Sequence, residues 1–265
     1  MQIPKEYTDD WGMIVTLEQD GGDSAFFMGH YYSLKMLSLD PVAQYHTKKI
    51  LIKDYDNAQF KLQKKGLARR HPDESKWYGD FDRMSRDQSI PFLISMFIME
   101  QIYGPWEFFK AHLKRGLLFT TNTRRNGASL QNHGEVYKND KMGKPVKRNY
   151  NRKLPDLCGP NFWSIYIRGF RAYPFWPVLC CLDLFLLGSV ISFNIKPREP
   201  NQLLLLLAFS RTRLPTPLSF VAWRVLNKNK ARDELKKYWF DKSHGGKLWR
   251  PWFIGEMWEK YLREN

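Results

Sequence analysis

Titratable and aromatic side chains crowd into residues 69–93, directly ahead of an apolar run. The stretch reads "RRHPDESKWYGDFDRMSRDQSIPFL". Catalytic groups often lie on loops that rigid helices hold in place. A carboxylate beside an arginine stays ionised, whereas burial against an aromatic ring raises a carboxyl pKa, so one loop can supply a base and an acid. The candidates for catalysis here are Asp82, Arg86 and Asp87, and those for ligand binding are Arg70, His71, Trp77 and Tyr78.

The same stretch also suits a structural role, in which arginines pair with aspartates and hold an irregular segment against the body. Trp77 and Tyr78 would then pack beneath it. Structural ion-pair networks shift pKa values much as active sites do. The residue types alone therefore leave both roles open.

A second candidate stretch, "EQDGGDSAFFMGHYY", leads into a predicted helix near residue 24. The glycine pair permits a close approach of the backbone ahead of Asp23. Asp23 is a candidate catalytic carboxylate, and Asp20 and His30 are candidate ligand-binding groups. We expect all three to face the opening that residues 69–93 also border. Alternatively, Asp23 only caps the helix, and His30 lies among aromatic residues in the core or at its rim.

Two further stretches complete the set of candidates. In "NTRRNGASLQNHGEVY", His133 and Tyr137 are candidate catalysts, with a solvated loop as the alternative. The remaining candidates for ligand binding are Arg124 and Arg125 in this stretch, and Trp163 and Arg168 in the second stretch, "PDLCGPNFWSIYIRGFRAYPFWP".

The composition predicts one domain with a large core. The chain has 265 residues, of which 43% are hydrophobic and 15% aromatic. This length and apolar content suffice for a single core spanning residues 1–265. Residues 119–155 have little apolar periodicity and many basic side chains, so we expect a basic loop or β-hairpin insertion there. The net charge of +15 favours polyanionic partners without choosing among them.

Cysteine spacing and the N-terminus give further expectations. Cys158, Cys180 and Cys181 form no disulfide framework and have no zinc-ligand spacing, so we expect buried, reduced thiols and no metal or other cofactor. Reduced thiols suit the cytoplasm. The N-terminus lacks a basic start followed by an apolar stretch, so no signal peptide is visible. The compartment itself stays open.

Helical periodicity with glycine and proline breaks predicts a mostly α fold built from antiparallel helix pairs. Asp40-Pro41 should end the first helix, and residues 89–116 should form a pair with Gly104 between its members. Residues 174–193 approach the length of a membrane span. Because Pro177 and Asp183 interrupt this run, we expect a core helix there and consider a membrane partner unlikely.

Polar helix entrances alternating with apolar helices resemble the layout of the (α/α)-toroid carbohydrate-active proteins. The entrances are "DGGDS", "RHPD", "NTRRNG" and "PDLCGP", and the apolar helices include "PFWPVLCCLDLFLL" and "NQLLLLLAF". The resemblance implies a ring of paired helices and a glycan cleft lined by Trp and Tyr, with Asp, His, Arg or Tyr as catalysts. Hydrolysis with inversion would need two carboxyl groups about 6.5–9.5 Å apart. A lyase would use His133 or Tyr137 as base, with Arg86 or Arg125 neutralising a uronate.

The sequence thus predicts a glycan-binding or glycan-cleaving protein acting on a polysaccharide or another anionic, hydroxyl-rich ligand. One alternative is a structural or interaction protein of a larger assembly, such as a viral particle. Another is nucleic-acid binding through the basic residues of 110–153, although no known nucleic-acid-binding motif accompanies them.

Overall fold

The structure, a computed structural model, describes most of the chain outside its basic middle. The described residues are 2–39, 45–64, 66–79, 86–99, 104–114, 163, 165, 167, 177–184, 200–211, 216–243 and 245–264. The predicted insertion at 119–155 lies outside them. The fold is mostly helical, as predicted.

Eight helices are named here in chain order. They are α1 (Ser24–Leu37), α2 (Tyr45–Leu62), α3 (Arg86–Ile98), α4 (Gly104–Lys114), α5 (Pro200–Arg211), α6 (Pro217–Val225), α7 (Lys228–Trp239) and α8 (Trp252–Glu264). Residues 177–184 are also helical. Two short antiparallel strands, β1 (Gln63–Lys64) and β2 (Leu67–Ala68), follow α2.

Two predicted helix boundaries are wrong. The first helix of the pair predicted over residues 89–116 begins earlier, at Arg86, so Pro91, a residue suited to a first turn, lies inside α3. Gly104 was expected to end a helix, but α3 ends at Ile98 and Gly104 begins α4. The C-terminal segment 217–240 divides into α6 and α7, because Leu226 is extended and the Asn227 side chain accepts a hydrogen bond from the Lys230 N–H to start α7.

Helix α1 is the centre of the core, since its residues from Ser24 to Leu34 are all buried. It packs against α3, α8, α2 and α5. Gly29 permits a close approach to α3, because a Cβ added there would lie 2.5 Å from the Pro91 carbonyl carbon. Three residues before this contact on each helix, the Phe26 N–H in α1 donates a hydrogen bond to the Gln88 side chain in α3. Helices α1 and α3 therefore run parallel, and both begin at the same end of the domain.

The antiparallel arrangement predicted from sequence is found in two pairs. The ring of Tyr32 in α1 contacts that of Tyr55 in α2, and the chain after α2 returns to the start of α1, where the Ala25 N–H donates a hydrogen bond to the Arg70 carbonyl. Helices α7 and α8 also pair antiparallel: Lys236 bonds Glu259, and Gly255 lies against Trp239 near the end of α7.

The two ends of the chain meet. The Tyr7 hydroxyl donates a hydrogen bond to the Leu248 carbonyl (2.5 Å), and its ring contacts that of Phe253. The Leu17 N–H donates to the Trp249 carbonyl at 2.8 Å. The N-terminal segment is thus held against the start of α8.

Part of the long apolar run 174–193 can be placed. Asp183 is buried, and the Thr216 hydroxyl before α6 donates a hydrogen bond to its carboxylate. Cys180 and Cys181 carry free thiols, but Cys181 is exposed, so the prediction of burial is wrong for it. No helix within the described ranges combines the length and apolar character that crossing a bilayer requires.

Candidate functional site

Residues from the two predicted segments around Asp23 and Arg70 meet Asp9 of the N-terminal segment where α1 and α3 begin, and we name them the helix-start cluster. Its members are Asp9, Asp20, Gly21, Gly22, Asp23, Arg70, His71, Asp73, Tyr78 and Gln88. Five of them were predicted site residues, namely Asp20, Asp23, Arg70, His71 and Tyr78. The convergence follows from the parallel packing of α1 on α3.

Gln88 joins the two helix starts. Its side chain is only 3% exposed; Oε1 accepts the Phe26 N–H at 2.9 Å, and Nε2 donates to the Asp23 carboxylate at 2.6 Å. Asp23 occupies the N-cap position of α1, but its own side chain caps no N–H. Gln88 therefore satisfies one of the amides that a helix start leaves without an intrahelical partner, and it holds the half-buried carboxylate of Asp23.

Asp20 and Arg70 fix the glycine turn before α1. The Asp20 carboxylate accepts the Gly22 N–H at 2.8 Å, while the Arg70 guanidinium donates to the Gly22 carbonyl at 3.3 Å. Arg70 is 1% exposed. Both side chains thus bond the backbone of the cluster, and Asp20 is the one that remains exposed.

His71 has both ring nitrogens engaged. Its Nδ1 accepts the Asp73 N–H at 3.1 Å, so the ring proton lies on Nε2, which donates to the Asp9 carboxylate at 2.5 Å. The other oxygen of Asp9 accepts the Met13 N–H at 2.8 Å. His71 therefore holds the N-terminal segment in place, and neither nitrogen is available to act as a base without breaking one of these bonds.

Tyr78 covers the glycine turn beside His71. The two rings meet edge to face with centroids 5.4 Å apart, and a Cβ on Gly21 would lie 2.5 Å from the His71 ring. Burial raises the pKa of Tyr78, and the negative charge of Asp20 adds to this effect. Its phenol thus stays protonated in neutral solution and can act as a hydrogen-bond donor.

His30 lies in the core, not at the opening expected for it. It is 0% exposed; Nδ1 accepts the Trp258 indole N–H at 3.3 Å, and Nε2 therefore donates to the Asn201 side-chain oxygen at 3.0 Å. Burial lowers the pKa of His30 to about 3, despite the opposing effect of the Asn201 bond. The role proposed for it as a ligand-binding group needs accessibility that this position does not give.

Buried His30 predicts a loss of stability in acid. The unfolded chain binds a proton below the ordinary histidine pKa of about 6.5, whereas folded His30 stays neutral down to a pKa of about 3. The free energy of unfolding should therefore fall as pH drops through this window, by up to about 1.4 kcal/mol per pH unit from this group. Urea unfolding at a series of pH values measures it.

His30→Gln is the matched control for this titration. Its amide can donate to Asn201 and accept from Trp258, but it does not ionise. The difference in unfolding free energy between the wild type and His30→Gln should shift in favour of the variant as pH falls. Parallel pH profiles for the two proteins would contradict the prediction.

Several predicted site residues fall outside what can be described. These are Asp82, Arg124, Arg125, His133, Tyr137 and Arg168. Trp77 lies in a short helical turn, and Arg86 and Asp87 lie in the first turn of α3 beside Gln88, but only their backbone is described. Trp163 is 37% exposed, and its ring contacts Phe109 of α4.

Exposed and half-buried carboxylates give the helix-start cluster its chemistry. Hydrogen bonds from Ser75, its side chain first, hold the pKa of half-buried Asp73 below its ordinary value, so this carboxylate is ionised. Asp23 is half-buried, Asp20 is exposed, and Trp11 nearby exposes 46% of its surface. Carboxylate oxygens accept hydrogen bonds from hydroxyl groups, and a flat aromatic side chain offers a stacking surface.

A second polar site, which the sequence did not predict, lies between the N-terminal segment, α1 and α2. It is a groove of about 330 Å³ whose polar lining includes Tyr31, Lys35, Asp54, Asn57 and Lys61. We name it the lysine groove. Its residues lie on two helices and the segment before them, so only the packing of α2 on α1 brings them together.

The described residues contain no group of three or more His, Cys, Asp or Glu side chains arranged to hold a metal ion. No protein-family model, curated protein or solved structure matches the chain. Evidence for function therefore comes from the geometry of the two polar sites.

Proposed function

We propose that the chain is a glycan-binding or glycan-cleaving protein whose site includes the helix-start cluster. The observation that carries the proposal is the Gln88 bridge between Asp23 and the first turn of α1. This bridge joins two segments whose carboxylates were predicted to share an opening. Asp23, Asp20 and Asp73 would accept hydrogen bonds from sugar hydroxyls, and Trp11 would stack on a sugar ring.

Asp23 is the proposed acid or base, because it is half-buried and the Gln88 amide holds its carboxylate at the start of α1. Hydrolysis would pair it with another carboxyl, about 5–5.5 Å away with retention or 6.5–9.5 Å with inversion. Asp82 and Asp87 are the proposed partners from sequence, since they precede Gln88. Elimination would instead use His133 or Tyr137 as base.

A toroidal arrangement of the helices remains part of the proposal. Its support is the contact between α1 and α8, together with the bonds from Tyr7 and Leu17 to the segment before α8. A ring of paired helices requires such closure between its first and last members. It also requires helices two apart in the ring to begin at one end, as α1 and α3 do.

Asp23→Asn tests the proposed site. The amide oxygen still accepts the Gln88 bond, whereas the charge and the basic oxygen are lost. On a panel of neutral and uronate polysaccharides, followed by reducing ends and by the absorbance of unsaturated products, we expect the rate to fall about 100-fold or more. If the wild type binds polysaccharides without cleaving them, Asp23→Asn should instead lower the affinity for them.

Asp233→Asn is the control, because Asp233 is an exposed carboxylate on α7 and lies outside the cluster. It should leave rates and affinities unchanged. Failure of the wild type to bind or cleave any polysaccharide would refute the proposal, as would full activity of Asp23→Asn.

A further inference from the structure

The lysine groove carries two cations that bond only uncharged acceptors among the described residues. Lys35 Nζ donates to the Tyr31 hydroxyl at 2.9 Å and lies 5.1 Å from the centre of that ring. Lys61 Nζ donates to the Trp11 carbonyl at 2.6 Å. In the part of the chain that the structure describes, neither ammonium lies within 4 Å of a carboxylate oxygen. Each ammonium has three donors and can therefore also bind an anionic oxygen.

Acceptors for hydroxyl groups lie in the same groove. Asp54, Asn57 and Lys61 follow one another at spacings of three and four residues along α2, so they share one face of that helix. Asp54 and Asn57 are exposed, and both line the groove. A carboxylate and an amide beside two ammonium groups can bind a ligand that carries both hydroxyls and a negative charge.

The size of the groove limits the ligand. Its volume of about 330 Å³ lies at the low end of small-molecule sites, which span about 300–1,000 Å³. We propose that the lysine groove binds a single hydroxylated carboxylate the size of a sugar acid. The ligand's carboxylate lies between Lys35 and Lys61, and its hydroxyl groups bond Asp54 and Asn57.

Titration with glucuronate tests this proposal, with backbone amide shifts followed by NMR. The shifts should map to residues 2–13, 31–35 and 54–61 and give a Kd of about 1 mM, the range expected for so small a ligand. Glucose, which lacks the carboxylate, should bind at least about tenfold more weakly. Inorganic phosphate, which lacks the carbon-bound hydroxyls, should also bind more weakly.

Three lysine variants provide the decisive comparison. Lys35→Gln and Lys61→Gln should each weaken glucuronate binding about tenfold, the loss expected for one charge-assisted hydrogen bond. Lys53→Gln removes an exposed α2 lysine outside the groove and should bind like the wild type. Unchanged melting temperatures will show that the variants are folded.

Three results would overturn the proposal: no shifts in the groove at about 50 mM glucuronate, fifty times the expected Kd; glucose or phosphate binding as tightly as glucuronate; or folded Lys35→Gln and Lys61→Gln variants that bind like the wild type. Asp23→Asn should not change this binding. Loss of glycan activity at the helix-start cluster and loss of binding in the groove are therefore separate outcomes.

Discussion

Gly29→Ala should lower the free energy of unfolding by about 3 kcal/mol, the upper end of the usual effect of overpacking a core. The added methyl group would lie 2.5 Å from the Pro91 carbonyl carbon and 2.6 Å from its oxygen. Both are backbone atoms, so no side-chain rotation can relieve the clash. Helices α1 and α3 would have to separate, and the Gln88 bonds to Phe26 and Asp23 would lengthen with them. Equilibrium urea unfolding measures the loss.

Ser33→Ala, on the same helix, is the control. The Ser33 side chain is fully buried, and its hydroxyl has no hydrogen-bond partner among the described residues. Removing this hydroxyl should change stability by no more than about 0.5 kcal/mol or should increase it. Equal stabilities of Gly29→Ala and Ser33→Ala would show that the close helix contact is not required.

Gln88→Glu should lose about 3 kcal/mol of stability at neutral pH, as when a buried charge loses its compensating partner. One carboxylate oxygen can still accept the Phe26 N–H, but the other replaces the donor that lies 2.6 Å from Asp23. Two carboxylates at this distance repel each other, which raises the pKa of the pair above the unfolded values of about 4. The destabilisation is present above the raised pKa and disappears as pH falls through it. Thermal melts of Gln88→Glu and the wild type from neutral to acid pH measure this recovery as a narrowing difference between them.

Gln88→Leu separates the effect of charge from the loss of hydrogen bonds. It removes both bonds without adding a carboxylate, so we expect a loss of about 2 kcal/mol that does not recover in acid. Similar pH profiles for Gln88→Glu and Gln88→Leu would contradict the account of Gln88 as a donor to Asp23.

The predicted helices depend on local spacing, which the sequence displays directly. The apolar positions of α1, α5 and α8 and the proline in the first turn of α6 mark these helices along the chain. The start of α3 was misplaced because Pro91 suits a first turn, yet a proline is also tolerated deeper in a helix at an energetic cost. Nothing local distinguishes the two positions.

The contacts of the helix-start cluster were only partly predictable. Asp20, Asp23, Arg70, His71 and Tyr78 were found because polar residues ahead of apolar helices are conspicuous. Gln88 was missed because a lone glutamine in a helix resembles a solvated residue, and its partners lie 62 and 65 positions away. Periodicity reports which face of a helix is apolar, not which distant amide a buried side chain will meet.

The lysine groove was missed for a related reason. Lys35 and Lys61 each belong to a helix whose pattern predicts ordinary surface lysines. Only the packing of α2 against α1 and the N-terminal segment brings both ammonium groups to one groove. His30 shows the converse, since its aromatic neighbours in sequence were compatible with either a rim or a core position.

The meeting of the chain ends has a consequence for biosynthesis. The Tyr7 hydroxyl bonds the Leu248 carbonyl, which the ribosome adds 241 residues later, and the Leu17 N–H bonds the Trp249 carbonyl. Translation proceeds at about 5–20 residues per second, so the segment that contains Tyr7 and Leu17 waits many seconds before it can dock. Asp9, which anchors His71, lies in this waiting segment. Until α8 is synthesised, the Tyr7 ring lacks the Phe253 ring that packs against it, and exposed apolar surface of this kind is what molecular chaperones bind.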